Sequence, residues 1–400
     1  MKTIRSLAVA LGAAASMAIA GGAAAELRIG YLTTLTGGGA ILGNQQAEGW
    51  KLGLEHEGWT KDGDALGGVP TKMFYGDDQQ DTDLGLNAVR KMLSSDKVHI
   101  VAGIVWSNVL MAAQNPVIEA KRILLSTNAG ASPMAGSQCS PYFITTSWNN
   151  DQQGESSGAL VEKEGVKSVY LLSPNYQAGK DMLAGFRRYY KGQVMDQLLY
   201  KLGATDFQAE ISRVRASKPE GVFIFAPGAM GIAFMKQWAA SGAGKEIKLY
   251  TLAVVDELTL RAIGNSAIGT FHAMWWDPDG KFPANEKFVK GFIAKYGRHP
   301  TYFSAQSYEG PRLIAAALRQ MGGKFDENDL VTLSKTMRKV TYDSVRGPFK
   351  YNVNGIPIQD WYKLEVVAGK DGNATIKATD VVFKAHVDSY WKECPEAKRY

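Results

Sequence analysis

Residues 98–127 read VHIVAGIVWSNVLMAAQNPVIEAKRILLST, an apolar run, a helical pattern and a second apolar run. VHIVAGIV has the continuous apolar character of a strand covered on both faces, NVLMAAQNPVIEAK carries its apolar residues at helical spacing, and RILLST returns to strand. A strand, a crossover helix and a second strand form the unit that lets neighbouring strands run parallel. The alternation continues upstream through the strand LRIGYLTTL, the helix NQQAEGWKLGLEHE, the strand PTKMFYGDD and the helix TDLGLNAVRKMLSS, with Leu86, Val89 and Leu93 on one side. After NNDQQG a second set follows: helix ESSGALVEKEG, strand SVYLLSP, helix GKDMLAGFRRYYKG, strand GQVMDQLLYKLG, helix FQAEISRVRAS, strand GVFIFAPG, helix IAFMKQWAASG and strand IKLYTLAVV. The long helix SAQSYEGPRLIAAALRQM and the hairpin-like GPFKYNVNGIPIQDWYKLEVV close the pattern. The expected fold class is α/β, two successive units that are each a mainly parallel sheet flanked by helices.

The N-terminus has Lys2 and Arg5, then the apolar SLAVALGAAASMAIAGG and the small residues AAA before Glu26. This is the layout of a cleaved secretory signal over residues 1–25, with no cysteine at the cleavage point to take a lipid. Without Lys2 and Arg5 the chain holds 43 basic and 39 acidic residues, a net +4 with no basic run. That balance argues against nucleic acid and membrane-surface partners. The roughly 375 remaining residues exceed one ordinary core, so two lobes are expected. In an exported chain the two cysteines, Cys139 and Cys394, are expected to form one disulfide.

In open parallel sheets a ligand sits beyond the carboxyl ends of the strands, where loops lead into helix N-termini. Trp106, Ser107 and Asn108 stand at such a place. Ser107 reads as the helix N-cap, beside backbone N–H groups and a helix dipole that attract a carboxylate, and Trp106 as a flat apolar wall. A serine before an apolar helix is often a cap and nothing more, and a tryptophan is often core. The ligand reading gains from recurrence: STNAG follows RILL, TTSWNND follows YFI, SPNYQAGKD follows VYLL and APGAMG follows VFIF. These segments add Trp148, Tyr176 and Gly228 to the candidate set.

The signal, IGYLTTLTGGGAILG, VAGIVWSNVLMAAQNPVIEAKRILLSTNAGAS, NYQAGKDMLAGFRR, SYEGPRLIAAAL and GPFKYNVNGIP, in this order over nearly the whole mature chain, resemble the periplasmic solute-binding proteins of branched-chain amino acid type ABC transporters. The resemblance implies a periplasmic, two-lobed type I clamshell with three interlobe crossings and the ligand in the cleft. It implies lobe 1 from residues 26–146 and 275–361, lobe 2 from 147–274 and 362–380, and a tail over 381–400 returning towards lobe 1 from Cys394 to Cys139. It implies that Trp106, Ser107 and Asn108 meet a ligand carboxylate, that Asn128, Ala129 and Gly130 contribute backbone and small side chains, and that Tyr176 closes over the ligand from lobe 2. The partners implied are a small carboxylate-bearing solute and a membrane permease, with the binding protein a monomer.

One departure narrows the ligand. Amino-acid binders place an acidic partner for the ammonium near the strand end that reads YTLAVVDE here, and the matching position is Ala253, in an apolar run, with Asp256 and Glu257 slightly further on. The expectation is an aromatic acid such as benzoate, a hydroxybenzoate or a phenylpropenoate, its ring facing Trp106; Trp148 reads equally as cleft or hinge packing, and Trp275 and Trp276 read first as hinge or core packing and only second as ring partners. The alternatives are an aliphatic amino acid, or a ligand-sensing receptor of the same fold. An enzyme has little to build on: His56, His99, His272, His299 and His386 stand singly, no G-x-S-x-G is present, and TGGGAILG lacks the Lys-Ser/Thr of a P-loop. Neither a cofactor nor a metal is expected.

Overall fold

The first sheet is built from β1 (Leu27–Thr33), β2 (Ala65–Leu66), β3 (Val69–Asp77), β4 (Ile100–Gly103), β5 (Ile123–Ser126) and β6 (Phe143–Thr145), in the spatial order β2-β3-β1-β4-β5-β6. The source is a computed structural model describing residues 26–400; the signal expected over residues 1–25 lies outside the described residues. All neighbours are parallel except the short β2–β3 hairpin. β4 and β5 are buried along their whole length, which is why their sequences are continuously apolar. Strand alternation divides their side chains between two cores. Val101 and Leu124 pack with Val89, Val109 and Val117, from α2 (Thr82–Ser94) and α3 (Ser107–Glu119). Ile100, Ala102, Ile123 and Leu125 pack on the opposite face with Trp50 of α1 (Ala40–His56) and Leu313, Ile314 and Ala317 from a helix late in the chain.

A short α4 (Ser132–Ala135) precedes β6, and α5 (Asn150–Lys163) opens the second unit. That unit continues through β7 (Ser168–Pro174), α6 (Gln177–Tyr189), β8 (Gln193–Tyr200), α7 (Gln208–Ser217), β9 (Gly221–Phe225), α8 (Ala229–Ser241), β10 (Lys248–Leu252), α9 (Leu260–Ile263) and β11 (Phe271–Met274). The chain then returns to the first sheet through α10 (Pro283–Tyr296), α11 (Tyr302–Gln320) and α12 (Leu330–Lys339). α11 lies along α1, and Ser307 on it shares a 2.8 Å hydrogen bond with Tyr31 of β1. β12 (Lys350–Tyr351), β13 (Pro357–Ala368) and β14 (Ala374–His386) complete the second sheet, in the order β12-β13-β11-β10-β9-β7-β8, with β14 also paired to β13. Its β7–β11 core is parallel and β12 to β14 are antiparallel. The architecture is the two-lobed α/β clamshell expected, and no helix of the described residues is long and apolar enough to cross a membrane.

The chain passes between the lobes after β6, after β11 and before β13, and Arg346 ties the three passages together. Its guanidinium donates to the Thr146 carbonyl on the first and to Gln359 Oε1 on the third, and lies 4.1 Å from the centroid of the Trp275 ring on the second. Gln359 in turn donates to the Ser147 carbonyl at 2.9 Å. Trp276 is held by a 2.8 Å bond from its Nε1 to Asn285 Oδ1. Both tryptophans are spent on packing at the hinge, the reading preferred for this pair from the sequence, and neither is on the cavity between the lobes.

Beyond β14 the tail runs back to the first lobe. Cys394 is disulfide-bonded to Cys139, 255 residues earlier, and the Tyr400 N–H donates to the Val353 carbonyl at 3.0 Å. A cross-link closing so long a loop restricts the unfolded chain strongly. The Cys139→Ser, Cys394→Ser double variant should therefore lose about 2–5 kcal/mol of unfolding free energy. Urea unfolding under non-reducing conditions measures this, and an unshifted midpoint would show that the bridge is dispensable.

Candidate functional site

The order of strands locates the site. In the first sheet β1 lies between β3 and β4, and in the second β7 lies between β8 and β9, so each sheet has a point where successive crossovers diverge. Loops leaving the carboxyl ends of the two central strands part there and open a crevice.

In the first lobe the crevice is shaped at the end of β4. Gly103 has φ +100°, and a Cβ would stand 2.2 Å from the Leu32 carbonyl oxygen, so only glycine passes this close to β1. Ile104 is also left-handed, at φ +66°. The chain then straightens at Trp106 and α3 begins at Ser107. Trp106 is 2% exposed, and its indole Nε1 donates to Thr34 Oγ1 at 2.9 Å, bridging the loops after β4 and β1. This corrects the reading of Ser107 as N-cap. Trp106, pinned by its ring, occupies the cap position, has no side-chain oxygen to offer, and leaves the serine as the first helical residue. The first turn of α3 also lacks an acidic residue, so its N–H groups and the positive end of its dipole stay uncompensated.

In the second lobe Tyr176 follows β7 in extended conformation and leads into α6. Its ring stacks on Phe225, the last residue of β9, at 6.2 Å between centroids and 19° between planes. It also meets Trp106 edge-on at 6.0 Å, so the two crevices face each other through their aromatic rings. Between them lies a narrow cavity walled by Trp106, Ser107, Asn128, Ala129, Trp148, Tyr176 and Ala253, all read from the sequence, together with Leu42, Val105, Asn150, Gln153, Ala178, Met182, Phe225, Pro227 and Phe303, which were not. Among the described residues, every side chain on this wall is uncharged.

The polar groups of the wall are rigidly held. Asn150 Nδ2 donates to Ser107 Oγ at 3.1 Å and to Asp181 Oδ2 at 2.9 Å. Because Ser107 accepts from Asn150, its own O–H is available to donate. Asp181 also accepts from the Ser132 N–H and from Gln177. Burial pushes its carboxyl above the ordinary range against these bonds. Asp256 accepts from the backbone N–H groups of Leu258 and Thr259 at 2.9 and 2.7 Å, so it is consumed by its own turn. Glu257 lies on a separate groove with Arg261 and His299. Neither carboxylate near Ala253 reaches the cavity.

The periplasmic binding protein model matches residues 26–373. The chain belongs to the periplasmic binding protein family. Leu/Ile/Val-binding protein homolog 6 of Brucella melitensis is similar to it, 26% identical over 377 residues, 91% of this chain and 94% of that protein. A solute-binding protein of an ABC transporter from R. palustris, solved in complex with benzoate, superposes with a TM-score of 0.84 at 27% identity, covering 92% of this chain and 99% of its own. Another, from Rhodopseudomonas palustris BisB5 with 3,4-dihydroxybenzoic acid, gives 0.82 at 27%, covering 91% and 99%.

Three sequence candidates sit behind the cavity of this periplasmic binding protein instead of on its wall. Asn108 turns away to donate to Thr82 Oγ1 at 2.7 Å, joining α3 to α2. The Gly130 carbonyl accepts the Asn150 N–H at 2.7 Å and so positions α5. Gly228, at φ +66°, brings the start of α8 against α1 of the other lobe, where a Cβ would stand 3.1 Å from Ile41 Cγ2. The amides sequence reading missed, Asn150 and Gln153, are one helical turn apart on α5, just past the TTSW segment.

Behind them α5 is anchored by a buried ionic cluster. Asp151 accepts from Ser132 and, at 2.8 Å, from Arg188, which also reaches Glu155 at 2.6 Å, and Glu155 pairs with His386 at the end of β14. Burial pushes the Asp151 carboxyl up to about 6 from its ordinary 3.8, despite the bonds from Ser132 and Arg188. Between those two values the folded chain holds this proton more tightly than the unfolded chain, so Asp151 adds stability as pH falls through that window. Relative to Asp151→Asn, the wild type should gain about 1 kcal/mol of unfolding free energy between pH 7.5 and pH 5. Urea unfolding of both proteins at both pH values measures the difference, and parallel pH dependences would place the titration elsewhere.

Proposed function

We propose that this periplasmic binding protein captures a small aromatic carboxylic acid, of the benzoate, hydroxybenzoate or phenylpropenoate kind, between its lobes and delivers it to the membrane permease of an ABC uptake system. The observation that carries the reading is the cavity wall: rings from both lobes, an uncapped helix N-terminus with Ser107 on it, and no charged side chain among the described residues. The carboxylate takes the Ser107 O–H and the first N–H groups of α3, and the ring lies against Trp106, Trp148 and Tyr176. An aliphatic amino acid would bring an ammonium group into the same wall without a counter-charge, a costly burial. The benzoate- and dihydroxybenzoate-bound relatives support this reading. The Leu/Ile/Val-binding homologue favours the amino-acid alternative.

In this reading lobe 1 comprises residues 26–146 and 275–361, lobe 2 comprises 147–274 and 362–380, and the tail over 381–400 braces lobe 1. The protein acts as a monomer, exported to the periplasm, and releases its solute unaltered. Contacts from both lobes lower the energy of the closed form, and the solute shifts the balance only by its differential affinity for closed over open. Ser107 serves capture and Tyr176 serves closure.

Titration calorimetry with benzoate, 4-hydroxybenzoate, leucine and valine tests the reading. An aromatic acid should bind and the amino acids should give no heat; the reverse would install the amino-acid alternative. Ser107→Ala should weaken the aromatic acid by about 1–3 kcal/mol, the usual worth of a charge-assisted hydrogen bond. Unchanged affinity in the folded variant would put the carboxylate elsewhere.

A further inference from the structure

Gln153 presents a polar group that the protein leaves unspent. Its side chain is on the cavity wall and the residue is 1% exposed, yet no protein group bonds its Oε1. The Nε2 end finds only the sulfur of Met274, at 3.9 Å, a weak acceptor. Whichever way the amide is turned, one end of it is buried and unpartnered in protein terms, a condition that costs folding free energy and is rarely kept without use. Asn150, one turn earlier on the same face of α5, by contrast has its Nδ2 engaged by both Ser107 and Asp181.

We infer that Gln153 is the specificity residue of the cavity, reading a hydroxyl group on the ring of the bound acid. The assignment rests on the aromatic-acid reading above. Its placement follows from helix geometry: Asn150 touches Ser107, and three residues of α-helix advance about 4.5 Å along the axis, so Gln153 stands one turn away from the anion anchor, beside the body of a ring whose carboxylate is on Ser107. The chemistry follows from the amide. A phenolic hydroxyl donates to Oε1 and accepts from Nε2, satisfying both ends. A carboxylate only accepts and would leave Oε1 bare, and an unsubstituted ring satisfies neither. A site that buries such a group discriminates against ligands lacking its partner.

Calorimetry with benzoate, 3-hydroxybenzoate and 4-hydroxybenzoate on wild type, Gln153→Met and Gln153→Leu tests this, with thermal unfolding as a check that each variant is folded. In the wild type at least one hydroxylated acid should bind about 10-fold or more tighter than benzoate. In Gln153→Met, a side chain of similar length, the hydroxylated acids should fall to within about 3-fold of benzoate measured on the same variant; Gln153→Leu serves if the methionine variant unfolds. Equal binding of all three acids by the wild type, or a hydroxyl preference that survives in the folded variants, overturns the assignment and leaves the aromatic-acid reading standing. Wild-type protein that takes none of the three, and neither cinnamate nor 4-hydroxycinnamate, overturns that reading, and this assignment with it.

Discussion

The edge-on contact of Trp106 with Tyr176, 6.0 Å between ring centroids, is where the two halves of the molecule become one site. Each ring stands where its sheet changes winding direction, and each is fixed from within its own lobe. Trp106 is held by its hydrogen bond to Thr34, and Tyr176 by its stack on Phe225. Such a ring pair is worth about 0.5–1.5 kcal/mol beyond the area it buries, enough to favour closure without locking it. In the proposed binding mode a flat solute exchanges this ring–ring contact for one contact with each lobe, which would couple binding to closure.

The rest of the structure aims these two rings at each other. Gly103 lets β4 pass against β1, so Trp106 reaches Thr34. Arg346 gathers the three crossings at one point, confining lobe motion to a hinge. The cluster of Asp151, Glu155, Arg188 and His386 fixes the start of α5, and with it Asn150 and Gln153, relative to both lobes. Charge is used generously outside the cavity and kept off its wall, which suits the proposed ligand, whose only charge is a carboxylate.

Much of this was legible in the sequence because parallel α/β units advertise themselves. Fully buried strands such as Ile123–Ser126 must be continuously apolar, and the helices between them must be amphipathic, so the two units and the strand ends stand out in the sequence itself. The wall residues that follow strands, Trp106, Asn128, Trp148 and Tyr176, were found for that reason. Those that entered the wall from helix interiors, Met182 and Gln153, carry no such marker: their place depends on how α5 and α6 are turned, which tertiary packing decides. Ser107 was misread as a cap because an extended tryptophan before a serine looks like ordinary chain until its indole is seen bound to Thr34. Trp275 and Trp276 read first as hinge or core packing, and their contacts with Arg346 and Asn285 agree with that reading. β14, an edge strand of mixed exposure, has too little periodicity to be read at all.

The central claim is that one carboxylate and one ring are held jointly by the loops of two switch points. A crystal structure of the protein with 4-hydroxybenzoate tests it most directly. The account predicts the carboxylate on Ser107 Oγ and the first N–H groups of α3, with the ring among Trp106, Trp148 and Tyr176. A carboxylate bound away from α3, or a ring lodged outside the cavity between the lobes, would contradict it.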